Sequence, residues 1–567
     1  MKIETVSAVS LSTHARLDSK YFLAPGIEAA ERIARVKARG VPCVALGGSE
    51  GIARIWQPTR FSKVEAASRE EKIGYLRPYD VFEYLPRPAD FLSVTRTRDI
   101  DKSRLSRGML LQTCSGRNLG PAVFVDEYLA QFAVGGDMIR IEIDDPDLRA
   151  YALAYMQSET GQQLLTQGKT GSVIDHLSKA HIAKLEIPLL EHSVRSRIVS
   201  KMSEAIRLRE EARLTLDKAL SEFERSLPSI KRSKPEKHGW TVRAKNLSGR
   251  LDAASYDPLV ASVRKQLQSK GGVSVQTVAT VLKPAGRYKT VYVGKEHGRP
   301  ILSGTQLLQS RPINLRFMPE GAFKMPEAYR LRKNWIAYQA DGRVEDALGL
   351  PIMITADRDG WLASGHVGRV IGNDDVDAGW LYLAIRSWPG QIQLKSLASG
   401  SVVDSTFPWD MEGVILPPET NGVSKLVPPM WDNFALAQRL EDEAIGLIER
   451  SLSESGSPDL PVRLISPPSD VELEFRELVE KWRKDTQHTS SVKKMVEHPS
   501  YKRIIQMGET VLEHLFKELN ASRDHWLVAL NAITGEDPVP EDSNYSDAVD
   551  AWLAWGRGKG YLSKRVN

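Results

Sequence analysis

Cysteine is nearly absent: Cys43 and Cys114 are the only two in 567 residues, so neither a disulfide framework nor a multi-cysteine zinc site can form within the chain. A reducing, cytoplasmic setting is the expectation. No stretch approaches the ~18 consecutive apolar residues of a membrane span. The opening MKIETVSAVSLSTHARLDSKYF lacks the basic segment and apolar run of a secretory signal. An excess of one charge is missing too. Lys and Arg number 77 against 72 Asp and Glu, a formal +5, which is too mild to demonstrate a nucleic-acid partner but compatible with a local basic face. Enzyme signatures are also lacking: no Gly-rich dinucleotide loop, no His-Glu-x-x-His, no nucleophile elbow, and no Asn/Asp-Pro-Pro-aromatic of an adenine methyltransferase. Gly168-Lys169-Thr170 imitates the end of a phosphate-binding loop, but Gln163 stands where that loop needs its first glycine.

Hydrophobic residues at 41% and charged residues at 26% are ordinary globular usage, so the chain is expected to fold. At ~100–200 residues per domain its length implies several domains. Self-comparison shows how they are arranged. Shifting Gly161–Pro188 by 229 lands on Gly390–Pro417 with 8 of 28 positions identical, where roughly two are expected by chance. The shared core is Gly171-Ser172-Val173-Ile174-Asp175 and Gly400-Ser401-Val402-Val403-Asp404. Upstream, Arg16-Leu17-Asp18 with Tyr21 recurs as Arg250-Leu251-Asp252 with Tyr256. The chain therefore contains two related units, 1–191 and 240–427. Short apolar runs at Met138–Ile143, Trp335–Gln339 and Pro351–Ile354 predict strands, and Leu148–Leu165 and Ala378–Leu394 predict helices, an α+β reading.

From His192 to Leu227 there is no Pro or Gly, and Ile198, Met202, Ala205, Ala212, Leu216, Ala219 and Phe223 recur on alternating steps of three and four, with Arg209 the one polar member. That is a heptad seam. A second stripe over 428–453 includes Leu440, Ala444 and Leu447. The two seams are candidates to pair with each other; the alternative is that each packs on its own unit. Between helix and second unit, 228–239 is a basic linker with Lys231, Arg232, Lys234 and Lys237, and 454–469 is a Ser/Pro linker. Beyond it, 470–567 carries helical spacing and four of the 12 tryptophans, Trp482, Trp526, Trp552 and Trp555, which predicts a packed helical domain. Its histidines His488, His498, His514 and His525 are too dispersed for a compact metal motif.

Two tandem units, each opened by the Arg-Leu-Asp and Tyr element, closed by Gly-Ser, an apolar pair and then Ile187-Pro188 or Leu416-Pro417, and followed by a long helix, resemble the specificity subunit of type I restriction-modification systems. The likeness covers about residues 1–456 and is most specific from Gly161 through Ile187-Pro188 into Arg195-Ser196-Arg197-Ile198. It implies an α+β chain with two tandem target-recognition domains separated by long coiled-coil helices, here with an added C-terminal all-α domain. It further implies a non-catalytic component of a bacterial anti-phage defence system that reads a bipartite site on double-stranded DNA. Adenine methyltransferase (modification) subunits would be its partners, joined by a restriction or translocase subunit where restriction accompanies modification. S-adenosylmethionine would bind those partners, leaving no cofactor or metal in this chain. The sequence departs from the family in having Arg195 where a Gln is usual, and in placing Pro428-Pro429 at the approach to a shorter second helix.

DNA recognition needs donors for phosphates and polar groups that reach base edges. The loop Thr166–Ser172 and its counterpart Lys395–Ser401 supply candidates: Lys169, Thr170 and Ser172 in one, Lys395, Ser399 and Ser401 in the other. The competing reading is a helix C-terminal turn in which glycine takes a left-handed position. Arg16 with Asp18, and Arg250 with Asp252, are read as ion pairs that fix the start of each unit rather than as phosphate contacts. Two functional alternatives stay open at this point: a nuclease with a concealed site of scattered acids and a lysine, and a protein-binding scaffold.

Overall fold

The computed structural model describes residues 26–562 apart from 60, 89, 117–118, 168–174, 228–229, 231–238, 248–249, 251, 284–290, 320–325, 401–402, 420, 454–469, 487–488, 490, 523 and 541–542. The chain forms two compact units, Met1–Val462 and Arg463–Asn567.

The larger unit holds two modules built from the same strands in the same order. The first contains β1 (Cys43–Ala45), β2 (Arg54–Trp56), β3 (Lys72–Leu76), β4 (Asp90–Ser93), β5 (Leu110–Thr113), β6 (Ser115–Gly116), β7 (Val123–Phe124), β8 (Phe132–Val134), β9 (Met138–Glu142), β10 (Asp175–His176) and β11 (Glu186–Pro188). The second contains β12 (Val273–Ser274), β13 (Ala279–Leu282), β14 (Arg299–Leu302), β15 (Arg316–Met318), β16 (Ile336–Gln339), β17 (Asp341–Gly342), β18 (Pro351–Met353), β19 (Leu362–Ala363), β20 (Val367–Gly372), β21 (Asp404–Ser405) and β22 (Ile415–Leu416). The four-stranded sheet β2-β9-β5-β7 is matched by β13-β20-β16-β18, and the three-stranded β4-β3-β8 by β15-β14-β19. The pairs β1-β11 and β6-β10 are matched by β12-β22 and β17-β21. Even the exception repeats: β3-β8 and β14-β19 are parallel pairs among otherwise antiparallel ones. Both central sheets are entered through a left-handed residue, Gly108 (φ 95°) before β5 and Asn334 (φ 68°) before β16, conformations that glycine and asparagine tolerate best.

The one helix predicted in each module, Leu148–Leu165 and Ala378–Leu394, proved to be broken in two. In the first module α1 (Gly26–Ala38) precedes α2 (Pro146–Gln157), α3 (Glu159–Gln167) and α4 (Lys179–Ala183). Asp145 starts α2 by accepting from the amides of Asp147 and Leu148. Ser158 then turns extended (ψ 159°) and splits the expected Leu148–Leu165 helix. The cause is visible at Gly161, where a Cβ would sit 2.0 Å from the Tyr155 carbonyl. Only glycine lets the second helix fold back so closely. The same break recurs at Ser387 (ψ 155°) and Gly390. Helix α5 (His192–Ser226) comes next, and the helices of five residues or more that follow it in the larger unit are α6 (Pro258–Ser269), α7 (Ala378–Arg386), α8 (Trp388–Leu397), α9 (Pro408–Glu412) and α10 (Val427–Leu452).

Helices α5 and α10 run antiparallel and pack along their length, with Lys201 paired to Glu443 and Arg209 to Glu441. Of the seam residues, Ala205 meets Ala437 midway, with Leu440 half-buried beside them. Ile198, Met202, Ala444 and Leu447 join the core of the first module, while Ala212, Leu216 and Ala219 join the core of the second. Both readings of the seams therefore hold together: each helix packs on its partner and on the modules. The polar member Arg209 is answered across the seam by the buried Glu441. Pro428 and Pro429 do not interrupt α10; they occupy its first turn, where no intrahelical N–H bond is lost.

The arrangement is reciprocal. Each helix leaves one module and ends on the other. Glu449 near the end of α10 accepts from the Thr160 amide (2.8 Å), capping α3 of the first module, and also binds Arg32 at 3.0 Å. Glu224 near the end of α5 accepts from the Trp388 amide (2.7 Å), capping α8 of the second. The helices are not the sole connection, because the modules also touch directly. The Tyr84 amide donates to the Leu308 carbonyl and the Ser310 amide to the Phe82 carbonyl, each at 2.8 Å. The Tyr84 ring enters the aromatic cluster of Trp431 and Phe434 at 5.0 and 4.9 Å.

Among its described residues the C-terminal unit forms helices and no strand: α11 (Asp470–Thr486), α12 (Val492–Glu497), α13 (Pro499–Gln506), α14 (Leu512–Ser522), α15 (Leu527–Thr534) and α16 (Tyr545–Gly558). Its core stacks Tyr501 on Trp526 (5.2 Å, 9°), with Trp482 at 4.4 Å from the same indole, and packs Trp552 against Phe516. The expected linker at 454–469 lies outside the described residues, as does 228–239 apart from Ile230 and Gly239.

Candidate functional site

The matched sequence positions turn out to be largely architectural. Gln162 donates to the Met156 carbonyl and Gln391 to the Ile385 carbonyl (2.9 Å), each holding the fold-back next to Gly161 or Gly390. Leu165 and Leu394 are both buried. Arg250 and Asp252 form the expected ion pair at 2.8 Å; Arg250 also reaches Asp410 at 3.3 Å, and Tyr256 donates to its carbonyl. The earlier copy at Arg16 and Asp18 lies outside the described residues, as do Lys169, Thr170, Ser172 and Ser401. Lys395 and Ser399 are described, and both face their own module. The half-buried Lys395 ammonium donates to the Asp346 carbonyl at 3.3 Å, and burial together with Arg87 pushes its pKa down. Ser399 exchanges backbone bonds with Ser405 at 3.0 and 2.9 Å, closing the turn. This geometry ties both residues to their own module, but the turn is not the expected left-handed glycine cap, because the helix ends at an extended Ala398 and Gly400 does not take a positive φ.

One duplicated pair was missed at the same offset of 229. Arg140 in β9 and Arg369 in β20 are fully buried in the middle of the central sheets. Arg140 donates to the carbonyls of Gly135 (3.0 Å) and Met138 (2.6 Å), and Arg369 to that of Arg330 (3.3 Å). Burial pushes both guanidinium pKa values down to about 10. Their work is to hold loop carbonyls in place beneath the surface that each module presents.

Two concave places stand out. Between the modules lies a cleft of about 830 Å³, lined by Arg77, Tyr79, Arg316 and Arg343 but also by Asp80, Glu83 and Asp346. Arg77 is paired to Asp346 at 2.9 Å. Burial raises the carboxyl of Asp80 to about 6 and that of Glu83 to about 8, so part of the acidic lining is held neutral near pH 7. The second place is a cavity of about 360 Å³ in the first module, where β2, β6 and β10 end; Gln57, Thr59, Asp137, His176 and Lys179 line it. At the matching strand ends of the second module, Asp341 is gripped by Lys283 (2.9 Å) and the imidazole of His366 (2.7 Å). Those contacts, with Ser405, hold the Asp341 pKa down against the opposing effect of burial, which is the largest influence on it. Among the described residues no group of His, Cys, Asp and Glu is arranged to hold a metal ion, and no helix is long and apolar enough to cross a membrane.

No family model matches the chain. No curated protein matches it either. Among solved structures it is similar to the S subunit of a type I restriction-modification system from M. genitalium, at 14% identity and a TM-score of 0.26, over 74% of this chain and 100% of that one. It is also similar to the HsdS subunit from Thermoanaerobacter tengcongensis, at 11% identity and a TM-score of 0.22, over 72% and 99% of the two chains. A third similar chain comes from a structure of type I R-M complex assembly and conformational transition, at 11% identity and a TM-score of 0.24, over 71% and 98%.

Proposed function

We propose that this chain is the non-catalytic DNA-specificity subunit of a restriction-modification complex. Each module reads one half of a bipartite target, and the assembly positions adenine methyltransferase subunits, with restriction subunits where present, in defence against phage. The observation that carries this reading is the duplication: two modules of the same strand order and register, each capped by the helix that leaves the other. Two equivalent readers held at one separation suit a target with two recognised blocks and an unread gap. Lys and Arg side chains supply a salt-sensitive grip on phosphates, and polar side chains on base edges discriminate by ~1–3 kcal/mol per recognised pair. Methyl transfer from S-adenosylmethionine and extrusion of the target base fall to the partners. The test is genome-wide methylation mapping in the host. Loss of a two-part methylated motif on deletion of the gene supports the proposal. An unchanged methylation pattern, or Mg²⁺-dependent cutting of DNA by the purified chain alone, contradicts it.

A further inference from the structure

The two modules share a skeleton but not a lining at one place, the ends of β2, β6 and β10 and of their counterparts β13, β17 and β21. Strand register fixes the equivalences. Trp56 faces Arg140 as Leu282 faces Arg369, so Gln57 corresponds to Lys283. Ser115 pairs with His176 as Asp341 pairs with Ser405. The Asp137 carbonyl accepts from the Cys114 amide as the His366 carbonyl accepts from the Ala340 amide, at 3.0 and 2.9 Å. Three residues beyond His176 and Ser405, Lys179 begins α4 where Pro408 begins α9.

At these positions an amide stands against an ammonium, a hydroxyl against a carboxylate, a carboxylate against an imidazole, and an imidazole against a hydroxyl. Four positions that set the helix fold-back and the sheet interior behave differently, although other packing positions, such as Trp56 against Leu282, also change. Gly161 and Gly390, Gln162 and Gln391, Ser158 and Ser387, and Arg140 and Arg369 are identical between the modules. A constant frame with a lining that changes chemistry at each matched position is what two readers of unlike sequences require. The aromatic content diverges too. Phe407 and Trp409 stack at 4.7 Å and 8°, with Trp409 64% exposed, where the first module has Ser178 and Ala180. Trp409 is largely open to solvent, while the Phe407 ring lies 5.4 Å from the ammonium of Lys283, which with the exposed His366 imidazole holds Asp341.

We propose that these strand-end sites are where each module meets the base edges of its half-site. This rests on the DNA-specificity reading above and goes beyond it in naming the residues that read each half. In the first module the exposed His176 and Lys179 offer donors suited to the acceptors of guanine. In the second, the Trp409 face offers an apolar surface for a thymine methyl, with His366 supplying the polar contact.

The test uses the full-length chain and a random duplex DNA library, with selected sequences read for wild type, His176→Ala/Lys179→Ala and His366→Ala/Trp409→Ala. All four side chains are exposed, so both variants should melt as wild type does, which thermal unfolding by circular dichroism checks. The first variant should lose roughly tenfold or more discrimination at one or two positions in one half only, and the second should do so in the other half only. Variants that select the wild-type motif unchanged, or that weaken both halves alike, overturn the inference while the DNA-specificity reading stands. A wild-type motif with two identical halves overturns the inference too, because the linings assigned to reading are unlike. A wild-type chain that selects no motif overturns the inference and the reading beneath it together.

Discussion

Replacing Arg213 by methionine should loosen the junction on which both modules depend. Its guanidinium, fully buried on α5, donates to the Asp126 carboxylate at 2.7 Å and to the backbone carbonyls of Tyr84 at 2.9 Å and Glu83 at 2.8 Å. Tyr84 and its neighbours are the residues that bond the second module. Methionine preserves much of the side-chain stem but leaves a buried carboxylate without its counter-charge and two carbonyls without a donor. Removing one partner of a buried ion pair costs ~3–5 kcal/mol, a large share of the ~5–15 kcal/mol that typically holds a protein folded. Arg213→Lys keeps the charge but cannot fork to three acceptors, so its loss should be smaller, ~1–2 kcal/mol. Because Asp126 is then no longer stranded, Arg213→Met/Asp126→Leu should cost less than the sum of its single changes by ~1–3 kcal/mol. Urea unfolding measures the totals, and hydrogen exchange at the amides of α5 reports the junction separately from the C-terminal unit. A cost below ~1 kcal/mol for Arg213→Met, or strict additivity in the double variant, would refute the reasoning.

Gly390→Ala places a Cβ 2.4 Å from the Ala384 carbonyl and should lower stability by ~1–3 kcal/mol, seen as a reduced melting temperature; a neutral result would mean that the fold-back is not tightly packed. Glu83 gives a pH dependence: burial raises its carboxyl to about 8, against ~4.3 in an unfolded chain. Its folded form therefore keeps a proton that the unfolded form has lost, and stability is greatest below the unfolded value and declines as pH rises through the folded one. Melting temperature should fall between pH 5 and pH 8, and Glu83→Gln should flatten that slope; an unchanged slope would refute the assignment. In the C-terminal unit, Trp526→Ala removes the ring that stacks on Tyr501 and contacts Trp482. It should cost ~3–5 kcal/mol and make 470–562 sensitive to protease while the larger unit stays resistant.

The duplication was legible in the sequence because the residues that advertise it, Gly161, Gln162 and Leu165 with their counterparts, are fixed by packing at the helix fold-back. The heptad seam was legible for a similar reason: alanines and leucines at regular steps meet a second helix. The break at Ser158 and Ser387 was not foreseen, since apolar periodicity continues through it and only the close approach at the glycine reveals the turn. Arg140 and Arg369 were passed over because an arginine inside an apolar run reads as an exposed residue, whereas here carbonyls bent toward it accept from part of its donors in the core. The direct contact between modules runs in part through backbone groups of 82–85 and 308–310, which leave no side-chain signature, and its side-chain members, Arg77 with Asp346 and Arg386 on the Leu85 carbonyl, belong to no motif. The candidate site was the least legible part. The repeated Gly-Ser loop drew attention because it is alike in both units, while the strand ends proposed as readers are marked by being unlike.

The central claim is that two readers act together at one fixed separation. The most direct measurement is the affinity of the purified full-length chain for duplexes carrying both recognised blocks, with the gap between them changed one base pair at a time. The account predicts tight, salt-sensitive binding at a single gap length and a sharp loss one base pair to either side. Affinity indifferent to the gap, or equal for one block and two, would contradict it.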